Sequence, residues 1–241
     1  MLKYTLLLLI VFLICLAAFA PASLLDRALQ NAQGVDLVNP RGTVWSGQAG
    51  IVVAGAQRGV ASWSVRPLSV LTFNPTADWR IEDVSLNLEG WASTVGEHHS
   101  LDVQGLIGAE VINEWLRKYY IYLEGEFSVQ PTQLSVSGTQ VTKLEGQIDW
   151  TGGVVRYRLS GVLHETNLPP LTAYLDQDTQ ANPIATVYAQ GNSTPLLFAT
   201  LSEDGFAKVS MTKLFTKLLN NPWPGSDPDS TIVLEVEEKI I

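Results

Sequence analysis

Val155-Arg156-Tyr157-Arg158-Leu159 alternates apolar and charged side chains, and this alternation decides the fold. Successive side chains of an extended chain point to opposite faces, so Val155, Tyr157 and Leu159 share one side and the two arginines face water. The same period of two recurs in Ala61, Trp63 and Val65, in Val84, Leu86 and Leu88, and in Ile232, Leu234 and Val236. Between them stand Ser62, Ser64, Asn87 and Glu89. Polar residues in those places suit antiparallel ribbons with one solvated face, whereas parallel strands read as unbroken apolar runs. The expected fold class is therefore mainly β: an extended, twisted antiparallel sheet with a few short helices.

Three Leu-Glu-Gly triplets, at Leu88-Glu89-Gly90, Leu123-Glu124-Gly125 and Leu144-Glu145-Gly146, interrupt strand-like sequence and read as bends or bulges. Their unequal spacing excludes a fixed-period solenoid or propeller. Two amphipathic helices are expected. One carries Val111, Ile112, Trp115, Leu116 and Tyr119; the other carries Leu214, Phe215, Leu218 and Leu219 behind a Ser210 cap. Both stripes read as core. Asn220-Asn221-Pro222-Trp223-Pro224-Gly225 cannot continue a helix and should be an ordered turn before a last strand from Thr231 to Val236.

The N-terminus differs from all of this. Tyr4 to Leu25 holds no charged side chain, and the run containing Leu6, Leu9, Val11, Leu13 and Phe19 approaches the length of a membrane-spanning helix. Lys3 and the amine of Met1 precede it, while Asp26 and Arg27 cancel beyond it, which keeps the N-terminus cytoplasmic. We expect a transmembrane signal-anchor over residues 1–22 and one β-rich domain over 23–241 on the outer side. A short helix capped by Ser23 and ended by Gly34 should lead out of the membrane. A cleaved signal peptide competes, because Ala18-Phe19-Ala20 has the small-x-small form, but Pro21 directly after that cut hinders a peptidase. Ile14 is too large a neighbour for a lipid-modified Cys15.

With 46% hydrophobic and 16% charged residues the chain can bury a core. Fifteen basic against 24 acidic side chains, in no basic cluster, argue against nucleic acid as a partner. Cys15 is the only cysteine and lies in the apolar run, so the rest of the chain forms no disulfide and offers no thiolate. The chemical motifs fail on inspection. Gly42 to Gly47 has the spacing of a phosphate loop, but Gln48 and Ala49 stand where lysine and a hydroxyl are needed. His164-Glu165 begins like a zinc-protease helix, yet Leu168 occupies the second histidine position. His98 and His99 beside Glu97 fit a solvated hairpin tip. No catalytic residue, metal ligand or cofactor site is assigned, and we expect no enzyme and no cofactor. Seven tryptophans stand out, two of them, Trp45 and Trp223, beside turns. Such rings often anchor interfaces, though structural roles are commoner.

Gly42-Thr43-Val44-Trp45-Ser46-Gly47-Gln48-Ala49, then Trp63-Ser64-Val65-Arg66-Pro67-Leu68, and finally Asn221-Pro222-Trp223-Pro224-Gly225-Ser226-Asp227-Pro228-Asp229 resemble the general secretion pathway protein N family of type II secretion systems. The resemblance covers nearly the whole chain. It implies a non-catalytic inner-membrane protein of a Gram-negative bacterium. A periplasmic domain would work with other inner-membrane or periplasmic secretion components to export folded proteins across the outer membrane. The candidate signature or interaction positions are Gly42, Trp45, Gly47, Trp63, Pro67, Pro222, Trp223 and Pro224. A Gly-x-Val-Trp-x-Gly motif also occurs in AsmA-like envelope proteins, so a second reading is a carrier whose curved sheet shelters or transfers lipid in an apolar groove.

Overall fold

The structure is a computed structural model that describes residues 18–25, 35–53, 56–138, 140–159, 161–202 and 204–239. Of the expected anchor over residues 1–22, residues 1–17 lie outside the described residues, as do 26–34 of the expected exit helix. Residues 23–25 are helical. Among the described residues no helix is long and apolar enough to cross a membrane. The chain is mainly β, antiparallel, with short helices, and its described part divides into two compact units whose division falls within one strand.

The first unit holds β1 (Val35–Gly42), β2 (Ser46–Val53), β3 (Ala56–Val65), α1 (Pro67–Leu71), β4 (Thr76–Asp83) and most of β5 (Leu86–Val95). Its strands follow one another in chain order, each hydrogen-bonded to the next as a meander. Pro67 opens α1, where its missing N–H costs nothing. The alternation of Ala61, Trp63 and Val65 does lie on one strand, β3. Val84 does not continue the next pattern: it is 101% exposed, in the turn between β4 and β5. The residue sits where the chain reverses, so the periodicity carried across a turn.

The second unit holds β6 (His98–Gly108), α2 (Ala109–Leu116) with a 3-10 turn Arg117–Tyr119, and β7 (Ile121–Leu123). There follow β8 (Glu126–Ser137), β9 (Gln140–Trp150), β10 (Gly153–Leu159), β11 (Val162–Leu168), β12 (Leu171–Gln177), β13 (Pro183–Ala189), β14 (Pro195–Leu201), β15 (Phe206–Thr212), α3 (Lys213–Leu218) and β16 (Ile232–Lys239). Within this unit the large sheet runs β6-β8-β9-β12-β13-β14-β15-β16. The small sheet is β11-β10-β7. The reason for two sheets is a set of excursions. The chain leaves the large sheet after Gly108 to make α2 and β7, after Trp150 to make the β10–β11 hairpin, and after Thr212 to make α3. Gly108 pairs with Glu126, Phe127 with Trp150, and Trp150 with Leu171, so the first two departures share one end of the sheet.

The core of this unit is Trp150, Val155 and Leu168, each 5% exposed, with Phe127, Tyr157, Phe215 and Leu219 packed against it. Trp150 donates its indole N–H to the Glu124 carbonyl at 2.8 Å. That contact explains one triplet: Gly125, at φ +93°, turns the chain between β7 and β8 where a Cβ would lie 3.0 Å from the indole nitrogen and 2.5 Å from the Gly152 carbonyl. The third triplet marks a bulge on its neighbour. Val129 pairs with Ile148 but Gln133 with Glu145, so β8 carries the extra residue, and Thr132 fills the space left open by Gly146.

Two core assignments need correction. Trp115 is 71% and Tyr119 44% exposed, although both belong to the apolar stripe of α2 and its extension. Only eight residues are α-helical there, and the chain tightens into a 3-10 turn at Arg117, which takes Tyr119 off the stripe; Trp115 lies inside α2, ahead of that turn. The second helix is shorter than its pattern: it starts at Lys213, and Ser210 lies in β15, where its hydroxyl donates to Glu235 at 2.8 Å. Thr212 occupies the cap position without a side-chain cap bond, its hydroxyl being used by the carbonyls of Pro195 and Leu196.

Candidate functional site

The sequence-marked glycines and tryptophans of the first unit form one cross-strand row. Gly42 pairs with Gly47, Gly47 with Trp63, and Trp63 with Trp79, on β1, β2, β3 and β4. Directly opposed residues of antiparallel strands stand side by side on one face, so two glycines in succession leave room for a large ring. A Cβ on Gly47 would sit 2.6 Å from Cζ2 of Trp63 and 2.4 Å from the Arg41 carbonyl. Trp63 donates its indole N–H to the Thr43 carbonyl at 3.2 Å, and the Trp45 carbonyl accepts from Val65 N–H at 2.6 Å. Gly42 is held at φ +94°, and the turn it begins bonds back to residues 20–22 through Ala22 N–H to the Gly42 carbonyl and Val44 N–H to the Ala20 carbonyl. Gly42, Trp45, Gly47 and Trp63 are thus brought together, and Pro67 stands nearby in sequence as the exposed first residue of α1.

Pro222, Trp223 and Pro224 belong to the second unit, in the turn between α3 and β16. This turn is fastened from inside. Lys213, only 3% exposed, donates from Nζ to the carbonyls of Gly225 at 2.5 Å and Asp227 at 3.2 Å. Trp223 N–H donates to Thr216 Oγ1 at 3.2 Å, and Asn220 closes α3 in the left-handed region at φ 56°. The buried lysine was invisible in the sequence, where a cation on a helical stretch reads as a solvated side chain.

Trp223, 44% exposed, stands at the edge of an apolar cavity of about 540 Å³ inside the second unit. Its floor is the large sheet. Ile148, Ala173, Val187, Leu197, Met211 and Leu234 are successive register partners on β9, β12, β13, β14, β15 and β16, forming a single apolar row across six strands. Leu123 and Val155 of the small sheet, together with Phe215 and Leu219, form the other wall. Tyr157 and Thr216 are the hydroxyl-bearing members of that wall, and the Tyr157 hydroxyl donates to the Leu219 carbonyl at 2.8 Å. Burial holds the Tyr157 hydroxyl above its ordinary pKa, so it stays protonated. Thr216 Oγ1 is engaged too, donating to the Lys213 carbonyl at 2.9 Å.

On its outer face the small sheet carries charge: Arg156 pairs with Glu165 at 2.7 Å and Glu124 at 3.3 Å. His164 stacks on Tyr157 at 5.3 Å and lies on a strand, not a helix. His98 and His99 open β6 beyond the turn at Gly96 and Glu97, both exposed. Among the described residues no group of three or more His, Cys, Asp and Glu side chains is placed to hold a metal ion. The large sheet is edged by β16, where Ile232, Leu234 and Val236 are 41–52% exposed, more than a single buried face predicts. A partner strand covers β16 on one side only.

The family model described as Type II secretion system (T2SS), protein N, matches residues 33–218, well over half of the chain. No curated protein and no solved structure matches it.

Proposed function

We propose that this chain, which belongs to the type II secretion system protein N family, is a non-catalytic accessory component of the secretion machine. Residues 1–22 hold it in the inner membrane with the N-terminus in the cytoplasm, and residues 23–241 stand in the periplasm as the part that supports export of folded proteins. The family match over residues 33–218 carries this reading. The apolar, charge-free stretch from Tyr4 to Leu25 supports the anchor. Contact with other secretion components would use surface that a monomer gains nothing by exposing. Leu68, Leu71 and Phe73, in and just after α1, are 75–87% exposed and are the first candidates in one unit. Trp115, 71% exposed, is the candidate in the other.

The test uses the tagged full-length chain in its own host. Retrieval of secretion-platform proteins, together with loss of exported protein from the medium on deletion, supports the reading. Intact secretion after deletion and no retrieved secretion component would overturn it. Protease added to spheroplasts should digest the segment after residue 25; sparing it while a periplasmic control is cut would refute the orientation.

A further inference from the structure

We propose that the cavity of the second unit binds one hydrocarbon chain, the acyl tail of a membrane lipid or of a free fatty acid. Its volume, about 540 Å³, lies within the range of about 300–1,000 Å³ typical of ligand pockets. The row from Ile148 to Leu234 crosses five interstrand steps, or about 24 Å at about 4.8 Å each. Half of a hydrocarbon core of about 30 Å is about 15 Å, so the floor is long enough for a whole acyl chain.

The lining decides between occupants. Ile148, Ala173, Val187, Leu197 and Met211 on the floor offer no donor or acceptor, and the hydroxyls of Tyr157 and Thr216 on the wall are already bonded to Leu219 and Lys213. A peptide laid there would bring backbone N–H and C=O groups that the floor cannot satisfy, at about 1–3 kcal/mol for each. Water would need two to four polar partners per molecule, which the floor does not supply. A hydrocarbon chain brings no polar group and gains from every methylene removed from water. Polarity returns at the rim, where Asn221 is exposed and Trp223 half-exposed, so a carboxylate or headgroup meets solvent there while the tail lies inside.

The assignment is tested on the full chain, purified in an amphipathic polymer, with cis-parinaric acid as fluorescent probe. Saturable binding of one probe per chain is expected. Ala173→Phe, which puts a ring on the floor between Ile148 and Val187, should weaken it by about tenfold or more, and Tyr174→Ser, on the opposite face of the same strand, should leave it unchanged. Displacement by palmitic acid but not by phosphatidylethanolamine vesicles identifies the free acid as the source, and displacement by both identifies a lipid tail. A second measurement does not depend on a variant folding: diazirine-bearing palmitic acid, irradiated in membranes holding the wild-type chain, should label peptides containing Ile148, Met211 or Leu234. Absence of saturable binding, equal affinity in Ala173→Phe, or labelling confined to the N-terminal 25 residues overturns the proposal. The secretion role is scored separately by co-purification and is untouched by that outcome.

Discussion

Removing the Lys213 ammonium should destabilise the second unit. The residue stands at the first position of α3, where a positive charge opposes the helix dipole, and it is 3% exposed. What it gains is two carbonyls: those of Gly225 and Asp227, in the segment that returns the chain from α3 to β16. Lys213→Met keeps length and helix propensity and removes only the ammonium. Hydrogen bonds to a charged donor contribute about 1.5–3 kcal/mol each, and part of this is recovered because methionine needs no desolvation, which leaves a net loss of about 2–4 kcal/mol. For a chain of this size that corresponds to about 5–15 °C in melting temperature. The loop should loosen first, so hydrogen exchange should accelerate in a peptide spanning residues 213–231, which contains Leu214 N–H bonded to the Asp229 carbonyl and Trp223 N–H bonded to Thr216. Lys217→Met is the control: Lys217 pairs with Asp229 at the surface, both side chains more than 40% exposed, and such pairs contribute at most about 1 kcal/mol. A melt of Lys213→Met within 1 °C of wild type, or a loss no larger than that of Lys217→Met, would refute the reasoning.

Gly47→Ala should destabilise the first unit by about 1–3 kcal/mol, because the new Cβ meets Trp63 and the Arg41 carbonyl, and this outweighs the about 0.4–1 kcal/mol an alanine gains through the unfolded chain. Near-ultraviolet circular dichroism during urea unfolding would report it, and a neutral or stabilised variant would show that the glycine row is not tight. Asp149 titrates low: burial opposes its charge, but hydrogen bonds from Thr172 at 2.8 Å, Gln147 at 2.9 Å and Gln130 at 3.1 Å prevail. A carboxyl whose folded pKa lies below its unfolded value of about 3.9 adds stability above that pH and loses it as pH falls through the folded pKa. The urea midpoint of wild type should therefore exceed that of Asp149→Asn near neutrality, with the gap closing below about pH 4; a gap that stays constant to pH 2.5 contradicts this.

Local pattern was enough for some of these features. The alternation at Val155, Tyr157 and Leu159 specified β10, and the apolar stripe from Val111 to Leu116 specified α2, because each is decided within one element. Trp45 beside its glycine turn reads in the sequence as an interface anchor or a structural ring, but the ring that Gly47 makes room for is Trp63, twenty residues after the Thr43 carbonyl that it bonds. Ser210 was misread as a cap because a hydroxyl before an apolar run looks the same whether the backbone there is extended or helical; the sheet claimed it through pairing with Glu235. Nothing near Lys213 in the sequence announces burial, since its partners lie 12 and 14 residues away in an irregular segment.

The cavity marks the limit of period-two reasoning. Alternation tells which side chains of a strand share a face, and it singled out Leu234 and Tyr157, as the helical stripe did Phe215 and the turn Trp223. It does not tell what lies over that face. Whether the row from Ile148 to Leu234 becomes a packed core or the floor of a trough depends on where the excursions after Gly108, Trp150 and Thr212 place their own apolar residues, and those are set by pairings such as Val155 with Leu123 across more than 30 residues. Ala173 makes the point. Alone it is a small residue in a strand; between Ile148 and Val187, in register, it lowers the second of six positions in an otherwise bulky row. A sheet built only to be covered would gain about 25 cal/mol for each further Å² of apolar surface buried there. Keeping alanine at that place forgoes the gain, which is what a floor shaped to receive a chain requires and a sealed core does not.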